Sequence, residues 1–326
     1  MLADLFEGSM EFKVGEEMVD QLINQKRVEE NPTLRTPNKH IIAEETAIVG
    51  APFPVGACFF DIDGTIVGAN HATSERTKHG IAALKSRGVI VGFATGRASF
   101  AAREVGLATG IDGASMFFAG SLIQNVSTGE VLYRVEMSRE SIGQLLALSA
   151  RRNYHLEFYT DSDFFVERVT PELVIHQQYC SRPAVVTPLQ ELAAHTPLLK
   201  AVMMTTVGAG EALLRAELEK IDGVVVTYSY GAVHADIVFA NIVDARATRE
   251  AAFEELLRLT QCSAEHVATF GDSEADCAFL RAARFGVATG NAVEVAKNAA
   301  TFVTSHVDDG GVGLAIEKLF FGPPVD

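Results

Sequence analysis

Apolar and polar positions along this chain follow two rhythms. Residues 57–62, ACFFDI, form an apolar run that breaks at an acidic loop, as a strand buried on both faces does. Thr73–Arg87 has the spacing of a helix, and Gly88 closes it. Val89–Ala94 is a second apolar strand, a helix starts near Ser99, and Ser115–Phe118 is a third strand. Such alternation predicts a parallel α/β sheet with right-handed crossovers.

The middle of the chain loses this rhythm. Val131–Val135, His155–Tyr159 and Phe164–Val166 read as short strands, and Ser138–Arg152 as a helix with Ser138 as its N-cap. Lys200–Thr205 and Val224–Ser229 read as strands around a helix at Glu211–Lys220. The βα order then resumes: helix Thr248–Leu259, strand Val267–Phe270, helix Ser273–Ala282, strand Phe285–Ala288, helix Ala292–Ala299 and strand Phe302–Thr304. The expected architecture is α/β, with a Rossmann-like parallel-sheet core at 56–135 and 232–326. That core is interrupted by an α+β domain at 136–231. Residues 1–55 read as an N-terminal extension in which Met18, Val19, Leu22 and Ile23 form the apolar stripe of a short helix.

Composition narrows the function. Of 326 residues, 48% are hydrophobic and 21% charged, which is the balance of a globular protein with a real core. A formal charge of −15 argues against nucleic acid or an anionic membrane as partner, although a local site for an anionic substrate stays open. Cys58, Cys180, Cys262 and Cys277 are far apart and contain no CxxC pair, which suits reduced thiols in a cytoplasmic protein. The nine histidines include no HExxH. No stretch reads as a transmembrane helix, and the first residues do not read as a secretory signal.

Three segments carry chemistry, each at the end of an apolar strand, where open parallel sheets bind ligands. Asp61-Ile62-Asp63-Gly64-Thr65 places two carboxylates one residue apart at a turn that Gly64 permits, and a divalent cation would relieve their repulsion. Ala94-Thr95-Gly96-Arg97 offers a hydroxyl and free backbone N–H groups as a phosphate cradle. Gly271-Asp272-Ser273-Glu274-Ala275-Asp276 adds two acidic residues one helical turn apart, fit for an oxygen-rich Mg²⁺ site.

Taken in order, DIDGT, ATGR and GDSEAD resemble the haloacid-dehalogenase-like hydrolase superfamily, and more narrowly its Cof-type sugar-phosphatase branch with an inserted type IIB cap. Gly286–Ala292 and Val303-Thr304 with Asp308-Asp309-Gly310 add to the resemblance, which spans Ala57–Leu319. It implies that Asp61 is the nucleophile that forms an aspartyl-phosphate and that Asp63 is the general acid–base. It further implies that Thr95 and Gly96, with a cation, bind the phosphoryl group. Asp61, Asp63 through its carbonyl, Asp272 and Asp276 would make up the Mg²⁺ site. The implied substrate is a small phosphorylated metabolite, expected to be a sugar phosphate.

The chain departs from the family pattern in three places. Where a lysine is expected, spacing gives Arg249, with Arg246 and Lys200 as alternatives. Ala275 and Ala119 stand where asparagines are usual. These losses keep open a catalytically inactive binding protein, and a phosphomutase of the same fold is the other rival. Tyr159, Asp161, Asp163, Arg168, His176 and Lys200 are polar cap positions with no assigned role.

Overall fold

The computed structural model describes residues 40–44, 54–69, 71–177, 180, 182–230, 234 and 236–321. The helix expected around Met18–Ile23 lies outside them. In chain order the elements begin with β1 (His40–Ile41), β2 (Ala57–Phe60), α1 (Glu75–Ser86), β3 (Ile90–Phe93), α2 (Ser99–Thr109), β4 (Ala114–Phe117), β5 (Leu122–Asn125) and β6 (Val131–Arg134). They continue with α3 (Arg139–Arg152), β7 (His155–Tyr159), β8 (Phe164–Val166), α4 (Pro171–His176), β9 (Val185–Val186), α5 (Leu189–His195), β10 (Lys200–Thr206), α6 (Ala209–Leu218), β11 (Val224–Tyr230) and β12 (Ile237–Asp244). The last are α7 (Arg249–Thr260), β13 (Val267–Gly271), α8 (Cys277–Ala282), β14 (Phe285–Ala288), α9 (Glu294–Ala299), β15 (Phe302–Val303) and α10 (Gly311–Phe320).

The core is a parallel sheet in the order β1-β15-β14-β13-β2-β3. The apolar run of β2 is explained by its two neighbours. Cys58 and Phe60 point into one cluster with Ile81 and Leu84 of α1 and Leu314 and Ile316 of α10. Ala57 and Phe59 point into the other, with Phe253 and Leu256 of α7 and Phe279 and Leu280 of α8. With a helix layer on each face, neither side of the strand can be polar. Phe60 stacks on Phe270 of β13 with centroids 4.7 Å apart, which locks these two neighbouring strands together.

A second, mixed sheet runs β11-β12-β10-β7-β8-β9 and forms the cap. One of its faces packs on α3, α5 and α6 through Leu145, Leu189 and Leu214. Its other face meets the core: Tyr159 lies 6.1 Å from Phe118 and 6.5 Å from Phe100, and Ser99 Oγ donates to the Asp161 carbonyl at 2.7 Å. The aromatic run is therefore packing, with Phe158 and Phe164 fully buried and Tyr159 nearly so.

Four expectations change. The boundary after residue 231 falls too early, because β12 pairs antiparallel with both β10 and β11 and so belongs to the cap sheet. The extension does not stop at residue 55: β1 pairs in parallel with β15, and Ile42 is buried in the core. The strand at 115–118 is displaced by one residue. It joins an antiparallel sheet with β5 and β6, touching the parallel sheet at the Ala94–Met116 bridge. The helix expected over Ser273–Ala282 opens as a 3₁₀ turn, Glu274–Asp276, before α8.

After β4 the backbone is left-handed at two consecutive non-glycine residues, Phe118 (φ 50°) and Ala119 (φ 55°). A left-handed residue with a Cβ costs about 1–2 kcal/mol, and the entropy of glycine costs about 0.5–1 kcal/mol. Ala119→Gly is therefore expected to stabilise the fold by about 0.5–1 kcal/mol. The check is a urea unfolding midpoint, and a lower midpoint for the variant would show that the loop carries no such strain.

Candidate active site

The three chemical segments follow strands that are neighbours in the sheet, β13, β2 and β3, so their ends lie side by side. The ladder continues just past β2, with Asp61 N–H donating to the Phe270 carbonyl at 2.9 Å. The chain then turns sharply, and the Ile62 carbonyl accepts from the N–H groups of Thr65, Ile66 and Val67. Gly64 takes φ +78°, and a Cβ there would lie 2.3 Å from Asp272 Oδ2. Only glycine allows this approach. The turn also delivers Thr65, whose hydroxyl donates to Asp272 Oδ1 at 3.0 Å.

Asp61, Asp272 and Asp276 each bring a carboxylate oxygen to a common place, all within 4.8 Å of one another. Asp276 is fully buried, and its Oδ2 accepts from Asp272 N–H (3.0 Å), Ser273 N–H (2.8 Å) and Ser273 Oγ (2.8 Å). Its Oδ1 accepts from Arg249 at 2.7 Å. Burial, then Asp276, hold the Asp61 carboxyl well above the usual carboxylate range; Arg249 opposes this, and Asp272 and Asp63 add to it. Burial and then Asp276 push Asp272 up to about 6.

Arg249 caps this cluster from the first turn of α7. Its second guanidinium nitrogen lies 3.5 Å from where a Cβ on Gly96 would sit, so the arginine spans from the carboxylates to the Thr95-Gly96 loop. Arg246 instead pairs with Asp244 and the Glu136 carbonyl, and Lys200 sits in the cap sheet over the Tyr159 ring. Thr95 is buried, and its hydroxyl oxygen accepts from Arg97 N–H at 3.2 Å, which leaves its own proton to give. The Asp63 carboxylate does not join the acidic cluster. Arg97 holds it with Nε at 2.7 Å and Nη2 at 2.5 Å, and its side chain is 63% exposed.

The sequence profile of the haloacid dehalogenase-like hydrolases matches residues 58–316. The chain belongs to that family. YxeH of Bacillus subtilis (strain 168), which carries a provisional phosphatase name, is 24% identical over 265 residues, covering 79% of this chain and 96% of its own. An HMP-PP phosphatase of Yersinia pestis (strain Pestoides F) is 23% identical over 236 residues, covering 72% of this chain and 83% of its own. Among solved structures, BT4131, described as a subclass IIB sugar phosphatase, superposes with a TM-score of 0.67 at 23% identity, covering 81% of this chain and 98% of its own. The parallel core with a separate mixed cap sheet is the subclass IIB fold.

The acidic cluster of this hydrolase suits a hard divalent cation. Three carboxylates against one guanidinium leave −3 + 1 = −2 when all are ionised, and oxygen donors of this kind suit Mg²⁺ or Ca²⁺ rather than softer metals. Three residues without an assigned role complete the arrangement: Arg97 on Asp63, Thr65 on Asp272 and Ser273 on Asp276. All three lie inside the quoted motifs, but spacing alone does not say which carboxylate each one reaches.

A raised carboxylate pKa means that the native state keeps a proton the unfolded chain has already released. Stability of the metal-free protein should therefore fall as pH rises from 3.8 towards about 6, the interval over which Asp272 is affected. Urea midpoints across that interval in a chelator test this. Asp272→Asn should flatten the fall, and an unchanged slope would sink the assignment.

Proposed function

We propose that this hydrolase is a Mg²⁺-dependent phosphatase of a small phosphorylated metabolite, acting through an aspartyl-phosphate on Asp61. The observation that carries the reading is the convergence of Asp61, Asp272 and Asp276 within 4.8 Å beside the Thr95-Gly96 loop. Asp61, the Asp63 carbonyl, Asp272 and Asp276 would hold the ion. When bound, it supplies the positive charge that lets an anionic carboxylate meet an anionic phosphate.

The chain's own groups divide the remaining work. An Asp61 oxygen attacks phosphorus in line as the alcohol oxygen leaves. Asp63 gives that oxygen its proton and then takes one from the water that hydrolyses the aspartyl-phosphate. Its separation from the acidic cluster, on Arg97, supports a distinct proton-transfer role. The Thr95 hydroxyl, the backbone at Gly96 and the free face of Arg249 bind the phosphoryl oxygens. The cap, seated on Ser99 and Phe100, covers the loop and selects the leaving group. A sugar phosphate fits the subclass of BT4131, while the HMP-PP phosphatase relative marks the competing substrate class. Four free cysteines suit a reducing, cytoplasmic compartment.

The test is phosphate release from a panel of phosphorylated sugars and pyrophosphorylated metabolites, with Mg²⁺ and with a chelator. Turnover should require the metal and vanish in Asp61→Asn. Asp63→Asn should lower kcat by about 10²–10⁴ while the phosphorylated enzyme still forms. Metal-independent turnover, or full activity in Asp61→Asn, would refute the reading. A bisphosphate requirement with phosphate moved rather than released would assign a mutase.

A further inference from the structure

Gly64 is the point at which the catalytic turn touches Asp272, and its carbonyl is held from across the fold. Asn291 Nδ2 donates to the Gly64 carbonyl at 2.7 Å, and Thr289 Oγ1 donates to the same oxygen at 3.3 Å. The other end of the Asn291 amide accepts from Val307 N–H at 2.9 Å. The two partners define the amide's orientation: a carbonyl can only accept and an N–H can only donate. Asn291 therefore joins three loops, at 61–65, 289–291 and 304–309, although it lies 227 positions from Gly64.

The surroundings leave this bridge little slack. Thr289 is fully buried, and Thr289 N–H donates to the Gly271 carbonyl, next to Asp272, at 3.2 Å. Val293 N–H donates to the Asp272 carbonyl itself at 2.9 Å. A Cβ on Gly290 would lie 2.7 Å from His306 N, so the loop at 289–291 is pressed against the segment that carries Val307. The segment at 289–293 thus holds both partners of the Gly64–Asp272 contact, one through side chains and the other through backbone.

We infer that Asn291, assisted by Thr289, is a positioning residue that sets the distance between the Asp61–Gly64 turn and Asp272, and thereby the affinity of the acidic cluster for its divalent ion. The inference rests on the metal-dependent reading above. The side-chain hydrogen bonds of Asn291 go to the Gly64 carbonyl and the Val307 N–H, so it acts through the Gly64 peptide. Loss of the brace lets the turn relax away from Asp272. The effect falls on metal binding and kcat, while substrate KM, set by the phosphate loop and cap, stays nearly constant.

The experiment is calorimetric titration of the full chain with Mg²⁺ alone, alongside steady-state kinetics and thermal unfolding. Asn291→Ala should weaken Mg²⁺ binding and lower kcat by about 10- to 100-fold, with KM within about threefold of wild type. Asn291→Asp supplies a second variant with a distinctive sign. It keeps an acceptor for Val307 and replaces the donor to Gly64 by a repelling oxygen. Simple attraction by an added carboxylate would tighten Mg²⁺ binding, whereas loss of the brace weakens it. A lowered melting temperature with an unaltered Mg²⁺ isotherm in either variant would reduce Asn291 to a structural residue and overturn the inference. A wild-type chain that takes up no Mg²⁺ would remove the metal reading and this inference with it. Wild-type binding with unaffected variants would remove the inference alone.

Discussion

Like-charge crowding at the carboxyl ends of two neighbouring strands, β2 and β13, is the constraint on which the site depends. Three aspartates meet within 4.8 Å, and one of them is fully buried. In a medium of low polarizability such a group is costly unless each charge is countered. The protein counters it with a guanidinium, two backbone N–H groups and two hydroxyls, and still leaves Asp61 and Asp272 short of compensation. On the proposed metal-dependent reading, that remaining deficit would drive the uptake of a cation. A site already neutral without an ion would have less reason to bind one.

The sheet makes this crowding possible at fixed positions. β13, β2 and β3 are hydrogen-bonded in sequence, so each strand end is held by its neighbours rather than by its own loop. The helices packed on both faces bury β2 and β13 fully and β3 except at Ile90, and stacking of Phe60 on Phe270 resists sliding of one end past the other. Near the site, left-handed backbone occurs where the chain leaves this frame, in the tight turn at Gly64 and the pair Phe118–Ala119 after β4; His71, Asn153 and Gln261 share that conformation elsewhere among the described residues. Rigid strands carrying charged loops are a sound base for chemistry that needs positions held to a fraction of an ångström.

Much of this was legible in the sequence because two-sided burial leaves an unmistakable apolar run. ACFF, IVGF and VATFG are such runs, and each points at a motif. The cap was harder to read. β12 has the sequence IVFANIVD, with the apolar character of a core strand, and only its antiparallel partners show that it belongs to the other sheet. Val185–Val186 is too short for any periodic signal, and Pro171–His176 is a single helical turn and a half. In the site, the acidic residues were legible from their position after strands. The direction of the Asp63 side chain was not, because it depends on Arg97, which lies in a neighbouring strand's loop 34 positions away.

The departures from the family pattern bear unequally on this picture. Ala275 is exposed beside Asp276 but takes no part in its hydrogen bonds, which come from Asp272, Ser273 and Arg249. Ala119 costs more in backbone strain than in contacts, since its N–H still reaches the Thr95 carbonyl at 3.2 Å and so keeps the Thr95-Gly96 loop anchored. Arg249 is the departure with consequences. A lysine presents one compact charge, whereas this guanidinium uses one nitrogen on Asp276 and sets another against Gly96. One side chain thereby reaches from the buried carboxylates toward the Thr95-Gly96 loop. The planar fork thus gives this position a second nitrogen, directed toward the Gly96 loop, that a single ammonium lacks.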